Sequence, residues 1–262
     1  MSSSRFSVEQ DSLRNIVEDV LARAAQRGAT QCETDASESY GQTVIVRCGE
    51  VDTIEHNRDK TVGVTVYIGK QRGHASTSDF SPKAIADTVD AALSIARLTA
   101  SDDCSGLAEP ELLCREIRDL DLFHPWDPGV DEAIRMAKAA ESAAFRLDKR
   151  IVNSDGASVS CQQGQYAMGN SAGFRGFLKS SRHYISCAVI AGEGEQMQRD
   201  DWYSSQRAAT DLADPKAIGD YAGRRALARL RARKIDTCQA PVLFEAPIAS
   251  SLLGHFVSAV SG

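Results

Sequence analysis

Two blocks of alternating residues, each enclosed by helical patterns, constrain the fold of this chain most strongly. From Cys32 to Ser78, and again from Arg150 to about Ser204, apolar residues tend to recur at every second position, as they do in half-buried strands. In the first block, for example, Val62, Val64 and Val66 all fall on one side of a strand. Glycine-containing turns separate the runs, which indicates antiparallel hairpins with one covered face.

Helical patterns flank both blocks. They cover about residues 7–28, 81–98, 131–147 and 214–232. Ser7 with Gln10 resembles a capping box at the start of the first helix, and Ser81-Pro82 is typical of the start of the second. We therefore predict an α+β fold with two antiparallel sheet-and-helix units. The predicted parts are an amino-terminal α+β domain (1–98), a connector (99–130) and a central α+β region (131–262).

The alternating blocks divide into short predicted strands. The first contains Cys32–Ser39, Gln42–Cys48, Val51–Glu55, Thr61–Ile68 and Arg72–Ser78, and the second contains Ala157–Gln163, Gln165–Asn170, Phe174–Leu178 and His183–Ala191. Asn153–Gly156 is interpreted as a turn, and Arg199–Asp201 as an exposed loop or hairpin tip.

The final stretch predicts a strand and then a helix. Val242–Phe244 is a short apolar, β-prone run, and Pro247 suits a first helical turn. Ile248, Leu252, Phe256 and Val260 then recur every four residues. Such a stripe must be buried against something, either earlier elements or a part of the protein beyond this chain.

Charge and cysteine usage exclude several classes of protein. The net charge of −6 argues against a generic binder of nucleic acid. The seven cysteines are odd in number and contain no C-x-x-C pair, which argues against a zinc ribbon or a dithiol redox site. We expect reduced thiols in a cytoplasmic protein, and no apolar run approaches the length of a membrane span.

Three segments together resemble one known family. They are the glycine-rich hairpin Arg58–Ser81, the pair Asn153–Ala157 and Asn170–Gly176, and the stretch from Ala240 to the end of the chain. Their order and spacing resemble the amino-terminal portion of the TldD/PmbA peptidase family. The resemblance implies that the protein continues beyond Gly262 into a carboxy-terminal β-rich domain.

The last helix indicates which branch of that family the chain resembles. In the TldD branch this helix carries a His-Glu-x-x-x-His metal motif, and the matching positions here are Gly254, His255 and Ala259. Both ligand histidines are absent, as in the PmbA (TldE) branch. The resemblance implies a heterodimeric, peptide-processing metallopeptidase in which this chain is non-catalytic and a TldD-type partner holds zinc.

No other chemistry stands out from the residues. None of the five histidines has another at helical spacing, and no G-x-S-x-G elbow is present. Cys161 and Cys187 fall in strand patterns typical of buried thiols, whereas Cys238 is expected to be exposed. Asp200-Asp201 is interpreted as a solvated loop pair, with a divalent cation as the alternative. We assign no catalytic residue, no metal ligand and no cofactor to this chain, and its substrate-binding residues stay unknown.

Two further hypotheses remain open at this point. The chain is a peptide- or protein-binding module without an enzymatic role, or it is a self-sufficient hydrolase with an unrecognised site. Unpaired strand edges favour binding of an extended peptide by strand addition.

Overall fold

The computed structural model describes residues 5–261 and divides the chain into two compact units, Met1–Leu230 and Arg231–Gly262. The first unit contains α1 (Gln10–Gln26), β1 (Gln31–Arg47), β2 (Glu50–Ile68), β3 (Gln71–Thr77), α2 (Pro82–Leu98), α3 (Val130–Leu147), β4 (Ile151–Asn170), β5 (Arg175–Ala191), β6 (Gln198–Gln206) and α4 (Pro215–Ala228). The second contains α5 (Ala246–Val260). The predicted α+β class is confirmed.

The strands form one antiparallel sheet in the order β3-β2-β1-β4-β5-β6. The two predicted sheet-and-helix units are present as two successive runs with the same order, helix, three strands, helix. Their strands do not form two separate sheets, because β1 of the first run pairs with β4 of the second over Glu33–Val46. Since this central pair is antiparallel, the sheet has an approximate internal two-fold symmetry.

One face of the sheet carries both hydrophobic cores. The even-numbered side chains of β1 are buried on this face from Cys32 to Val46. At one end of the strand, Cys32 and Ala36 pack with side chains of α1 and α2. At the other end, Val44 and Val46 pack with α3 and α4. The four helices therefore cover the same face in two pairs, and the middle of β1 lies between the pairs.

The strands are longer than predicted, and Gly41 shows why. The predicted break between Ser39 and Gln42 is wrong, because β1 continues through it. A Cβ atom at Gly41 would lie only 2.0 Å from Oε1 of Gln162 on the neighbouring strand. The glycine is present because another side chain occupies its space, and it does not mark a turn. The predicted breaks in β2, β4 and β5 are also wrong, because each of these strands is continuous.

Two predicted turns lie within strands. Asn153–Gly156 belongs to β4, where the register with β5 shifts twice and Gly156 adopts a φ of 114°. Such bulges carry turn-like residues without ending the strand. Arg199–Asp201 belongs to β6 and pairs with Ala188–Ile190 of β5.

The predicted start of α2 is correct, and the predicted start of α1 is wrong. Ser81 caps α2, because its Oγ accepts a hydrogen bond from the backbone N–H of Ala84 at 3.3 Å. The predicted capping box at Ser7 is wrong. The helix α1 begins at Gln10, and the Ser7 side chain donates instead to Glu38 on the sheet.

Residues 99–129 connect the two runs and contain one short 3-10 helix, Pro110–Leu112. The predicted domain limits at residues 98 and 130 stay predictions. The compact units divide elsewhere, after Leu230, because the shared sheet unites the earlier residues.

In the second unit, the predicted helix after Pro247 is confirmed by α5, but the predicted strand is wrong. Val242–Phe244 adopts no regular structure, and Val242 and Leu243 are largely exposed. Gly262 lies outside the described residues. Across residues 5–261, no helix combines the length and the apolar character that a membrane crossing needs.

Candidate functional site

A band of polar side chains crosses the middle of the helix-covered face. It separates the two hydrophobic cores, and we refer to it as the polar band. Its members are buried and come from the three central strands: Glu38, Tyr40 and Gln42 of β1, Gln163 and Gln165 of β4, and Ser181 and His183 of β5. Because buried polar groups require partners, something other than the apolar helices must cover these residues.

The residues that precede α1 cover one part of the polar band. The Glu38 carboxylate is fully buried and accepts hydrogen bonds from the backbone N–H groups of Ser7 (2.9 Å) and Val8 (3.0 Å). It also accepts from the Ser7 hydroxyl at 2.7 Å and from Nε2 of Gln165 at 3.2 Å. Burial alone would raise the pKa of Glu38, but these hydrogen bonds outweigh it and hold the pKa below its ordinary value. Glu38 is therefore an ionised carboxylate that binds backbone amides.

Arg5 sits beside the same band and is held from three directions. Its guanidinium forms an ion pair with Asp127 and lies 5.6 Å from the centre of the Tyr40 ring. Its carbonyl oxygen accepts a hydrogen bond from Nη2 of Arg58 at 2.8 Å. A charge partner, an aromatic face and a backbone contact together define a site for a basic residue.

Phe6 lies between Arg5 and Ser7 in the sequence and contacts a different set of side chains. Its ring stacks on Phe123 at a centroid distance of 6.0 Å, and the Lys179 ammonium lies 5.7 Å from the Phe6 ring. A cavity of about 210 Å³ adjoins the segment and is lined by Phe6, Val8, Glu9, Gln10, Gln165 and Lys179. Residues 5–8 thus lie in a groove with separate contacts for each side chain.

A second segment, the end of the connector, covers the rest of the polar band. The Ser181 hydroxyl accepts a hydrogen bond from the backbone N–H of His124 at 2.9 Å. Nε2 of His183 lies 2.8 Å from the His124 carbonyl oxygen, and Nε2 of Gln163 donates to the Trp126 carbonyl at 3.1 Å. Side-chain hydrogen bonds of the polar band therefore hold two backbone segments without regular secondary structure.

The band binds backbone but shows no activated nucleophile. Burial raises the pKa of the Cys161 thiol and lowers the pKa of His183, the residue opposite it on β5. Nδ1 of His183 is buried and has no hydrogen-bond partner. A protonated thiol beside a neutral imidazole is a poor start for nucleophilic catalysis, so the arrangement suits binding better than bond cleavage.

The residues that match the family's metal helix lie on α5. Gly254, His255 and Ala259 are all exposed there, and a Cβ at Gly254 would contact nothing within 4 Å. Glycine and alanine supply no ligand atom, so this set does not fit a zinc ion, which needs at least three side-chain donors. Among the residues that the structure describes, no three His, Cys, Asp or Glu side chains are grouped to hold a metal.

The cysteines and the acidic residue named from the sequence differ in their burial. Cys161 and Cys187 are buried, as predicted, and burial raises the pKa of Cys187 to about 12. Cys238 is exposed. The interpretation of Asp200 as a solvated loop residue is wrong, because its carboxylate is largely buried in β6 and pairs with Arg225 at 3.1 Å and Arg229 at 3.5 Å.

Free strand edges occur at the two outer strands of the sheet and along part of β2. β3 and β6 are the outer strands of the sheet. β3 pairs only with Val62–Ile68, so the outer edge of β2 from Glu50 to Thr61 has no neighbouring strand among the described residues. These are the places where the hypothesis of peptide addition to an edge applies.

Neither Glu38 nor Arg5 was predicted as a site residue, although the sequence contains one signal for Glu38. The alternation of β1 places Glu38 on the same side as Cys32, Ala36 and Val44. A carboxylate on a buried face needs donors, which predicts a bound backbone segment or a partner charge. Nothing in the local sequence identifies residues 5–8 as that segment.

Two domain models of one metallopeptidase family match separate parts of this chain. Residues 32–96 match the model of the PmbA/TldA metallopeptidase domain 1, and residues 123–230 match the model of the PmbA/TldA metallopeptidase central domain. The second match begins within the connector and includes the part that covers the polar band.

Curated relatives match over almost the whole chain. It is 43% identical over 252 residues to the protein named Metalloprotease PmbA of Escherichia coli O157:H7, covering 95% of this chain and 56% of that protein. It is 36% identical over 261 residues to the Metalloprotease PmbA homolog of Haemophilus influenzae, covering 100% of this chain and 58% of the homolog. The chain therefore spans little more than half the length of these relatives.

Solved structures share the fold. A protein of Bacteroides thetaiotaomicron described as a modulator of DNA gyrase superposes with a TM-score of 0.79 at 24% identity, covering 86% of this chain and 52% of that one. TldE from Thermococcus kodakarensis superposes with a TM-score of 0.62 at 14% identity, covering 82% and 47%. At these identities the likeness shows the fold alone.

Proposed function

As this chain belongs to the PmbA/TldD metallopeptidase family, we propose that it is a PmbA-like, non-catalytic part of a two-subunit peptidase. In this proposal a TldD-type partner supplies zinc and the catalytic helix, and this chain helps to form the chamber that receives peptides. The complex acts in the cytoplasm on peptides or unfolded segments.

One observation carries the proposal. The helix α5 presents Gly254, His255 and Ala259 where the metal-binding branch has two histidine ligands and a glutamate. A zinc peptidase needs those ligands to fix the metal and a carboxylate to activate its water, so a chain without them depends on another for hydrolysis. The relatives named Metalloprotease PmbA support the same branch.

The test measures bound zinc and peptidase activity in the purified chain, in a TldD-type partner and in their mixture. We expect the chain alone to hold no stoichiometric zinc and to cleave no peptide. We expect the mixture to hold zinc and to cleave peptide. Since the relatives are longer, the same assay is run with the full-length protein. Stoichiometric zinc with activity in the chain alone would refute the proposal.

A matched variant tests the reasoning about the helix. The triple substitution Gly254→His, His255→Glu and Ala259→His restores the ligand pattern of the metal-binding branch. We expect this variant to take up more zinc than the unchanged chain, because it adds two imidazoles and a carboxylate, which are side chains that bind zinc. Equal zinc content in the two proteins, when the substitutions are made in the full-length protein as well, would argue against the equivalence of α5 and the metal helix.

The second candidate is a peptide-binding module without a role in hydrolysis. The two segments held by the polar band favour it, because this surface binds their backbone groups. The two candidates differ in one requirement. A peptidase subunit must form a complex with a metal-binding partner, so failure of the chain and of the full-length protein to bind a TldD-type protein would favour the module.

A further inference from the structure

We propose that the groove over the polar band is a binding site for a short peptide segment with the pattern basic, aromatic, hydroxyl, and that residues 5–8 occupy it as an internal ligand. The inference deepens the proposed function, because it names a class of peptide for a protein of this family. It requires neither zinc nor a partner subunit.

Glu38 would keep few hydrogen-bond donors if the segment were absent. Three of its donor groups, the two backbone N–H groups and the hydroxyl, come from Ser7 and Val8. If the segment leaves, Gln165 is the one donor that remains among the described residues. A buried carboxylate with so few donors is costly, so the empty groove would favour any segment that offers the same three donors.

The contacts in the groove recognise the chemistry of the side chains as well as the backbone. The basic position meets the Asp127 carboxylate and the Tyr40 ring, and the aromatic position meets Phe123. The hydroxyl position donates to Glu38 at 2.7 Å. Together these contacts select a cation, a ring and a hydroxyl on three successive residues, which is a short recognition pattern.

Most of the segment lies outside the hydrophobic cores. It precedes α1, whose buried face begins at Leu13, and Val8 is the residue of the segment that packs, partly buried, against the core around Cys32 and Ala36. The adjoining cavity of about 210 Å³ gives the chain room to move or a ligand room to extend. Because a tethered segment competes at an effective concentration on the order of mM, a free peptide binds poorly until the internal contacts are weakened.

The experiment uses the whole chain and a fluorescent peptide with the sequence Ser-Arg-Phe-Ser-Val-Glu, followed by fluorescence anisotropy. The variant Arg5→Ala, Ser7→Ala weakens the internal ligand and leaves the groove intact. We expect this variant to bind the peptide at least about tenfold more tightly than the unchanged chain. Adding Glu38→Gln should then reverse most of that gain. A peptide in which glutamate replaces arginine and alanine replaces the second serine should bind at least about tenfold more weakly.

Two results would overturn the inference. One is a folded double variant, judged by circular dichroism and thermal melting, that shows no saturable binding up to about 1 mM. The other is equal affinity for the two peptides, because binding without the pattern is not recognition by this groove.

A measurement on the unchanged chain decides the question if the double variant does not fold. Excess peptide should speed hydrogen exchange at the amides of Ser7 and Val8 and leave the central amides of β1 unchanged. Unchanged hydrogen exchange at Ser7 and Val8 would refute the displacement of residues 5–8 by the peptide. Neither measurement depends on zinc or on a partner, so its failure is separate from failure of the proposed function.

Discussion

The carboxylate of Glu141, on helix α3, accepts a hydrogen bond from the backbone N–H of Gly49, in the turn between β1 and β2, at 2.7 Å. Its other oxygen accepts from the N–H of Cys48 at 2.8 Å. Cys48 and Gly49 both have positive φ, so their N–H groups converge on one anion. A buried acid on a helix thereby fixes the end of the long hairpin to the second hydrophobic core.

We predict that Glu141→Gln lowers the free energy of unfolding by about 1.5–3 kcal/mol. The uncharged glutamine oxygen is a weaker acceptor for one backbone N–H group, and the glutamine NH2 group would face the other N–H group, donor against donor. Chemical denaturation followed by circular dichroism measures the change. Glu132→Gln is the control, since Glu132 is exposed on the same helix and should change stability by less than about 0.5 kcal/mol. Equal losses in both variants would contradict the role assigned to Glu141.

The order and type of the main elements could be predicted from the sequence, because each depends on local periodicity. Helices α1–α4 and the hairpin turns near Gly49 and Gly69 follow from apolar spacing and glycine. The union of the two blocks into one sheet could not be predicted. It depends on the pairing of β1 with β4, a contact between residues more than a hundred positions apart that no local pattern encodes.

The candidate site was harder to predict than the fold, for a related reason. Alternation places Glu38 on the buried face, but its donors come from residues that the sequence interpreted as a capping box. Ser7 can satisfy a helix end or a distant carboxylate, and only the three-dimensional arrangement decides between them. The absence of the family's metal ligands, in contrast, can be read from Gly254 and Ala259 alone.

The close approach of α3 and α4 leads to a second prediction. A Cβ atom at Gly219 would lie 1.8 Å from the carbonyl oxygen of Ala140, so Gly219→Ala must push the two helices apart. We expect a loss of about 1–3 kcal/mol in the free energy of unfolding of the first unit, measured by denaturation. Gly254→Ala is the matched control in a helix, because its added methyl group would contact nothing within 4 Å. A stable Gly219→Ala protein would show that the helices are less tightly packed than described.

The buried acid of β6 gives a third prediction. Asp200 pairs with Arg225 at 3.1 Å, and the Arg225 guanidinium lies 5.2 Å from the centre of the Trp202 ring. Asp200→Asn should lower the free energy of unfolding by about 1–2 kcal/mol, because the partly buried arginine loses a charged acceptor. Asp201→Asn is the control on the adjacent, more exposed carboxylate, with an expected change below about 0.5 kcal/mol. Thermal melting of both variants makes the comparison, and similar changes in the two would refute it.

The environment of His183 predicts how stability depends on pH. The ring is fully buried, its Nε2 group contacts the His124 carbonyl oxygen, and Trp126 packs against it with its edge at a centroid distance of 5.3 Å. Burial lowers the pKa of His183 below its ordinary value of about 6.5, since a proton on Nδ1 would find no acceptor. The unfolded chain therefore binds this proton more readily than the folded chain does.

Stability from the neutral ring should be fully present above about pH 6.5 and should be lost as the pH falls toward the lowered pKa, by up to about 1.4 kcal/mol for each pH unit. Denaturation curves at several values between about pH 7.5 and pH 5 measure this slope. His183→Leu should lower stability at every pH, because it removes the contact with His124, and should also flatten the slope. His255→Leu, on exposed α5, is the control that should keep the slope of the unchanged chain. Parallel curves for the unchanged chain and His183→Leu would show that other groups cause the pH dependence.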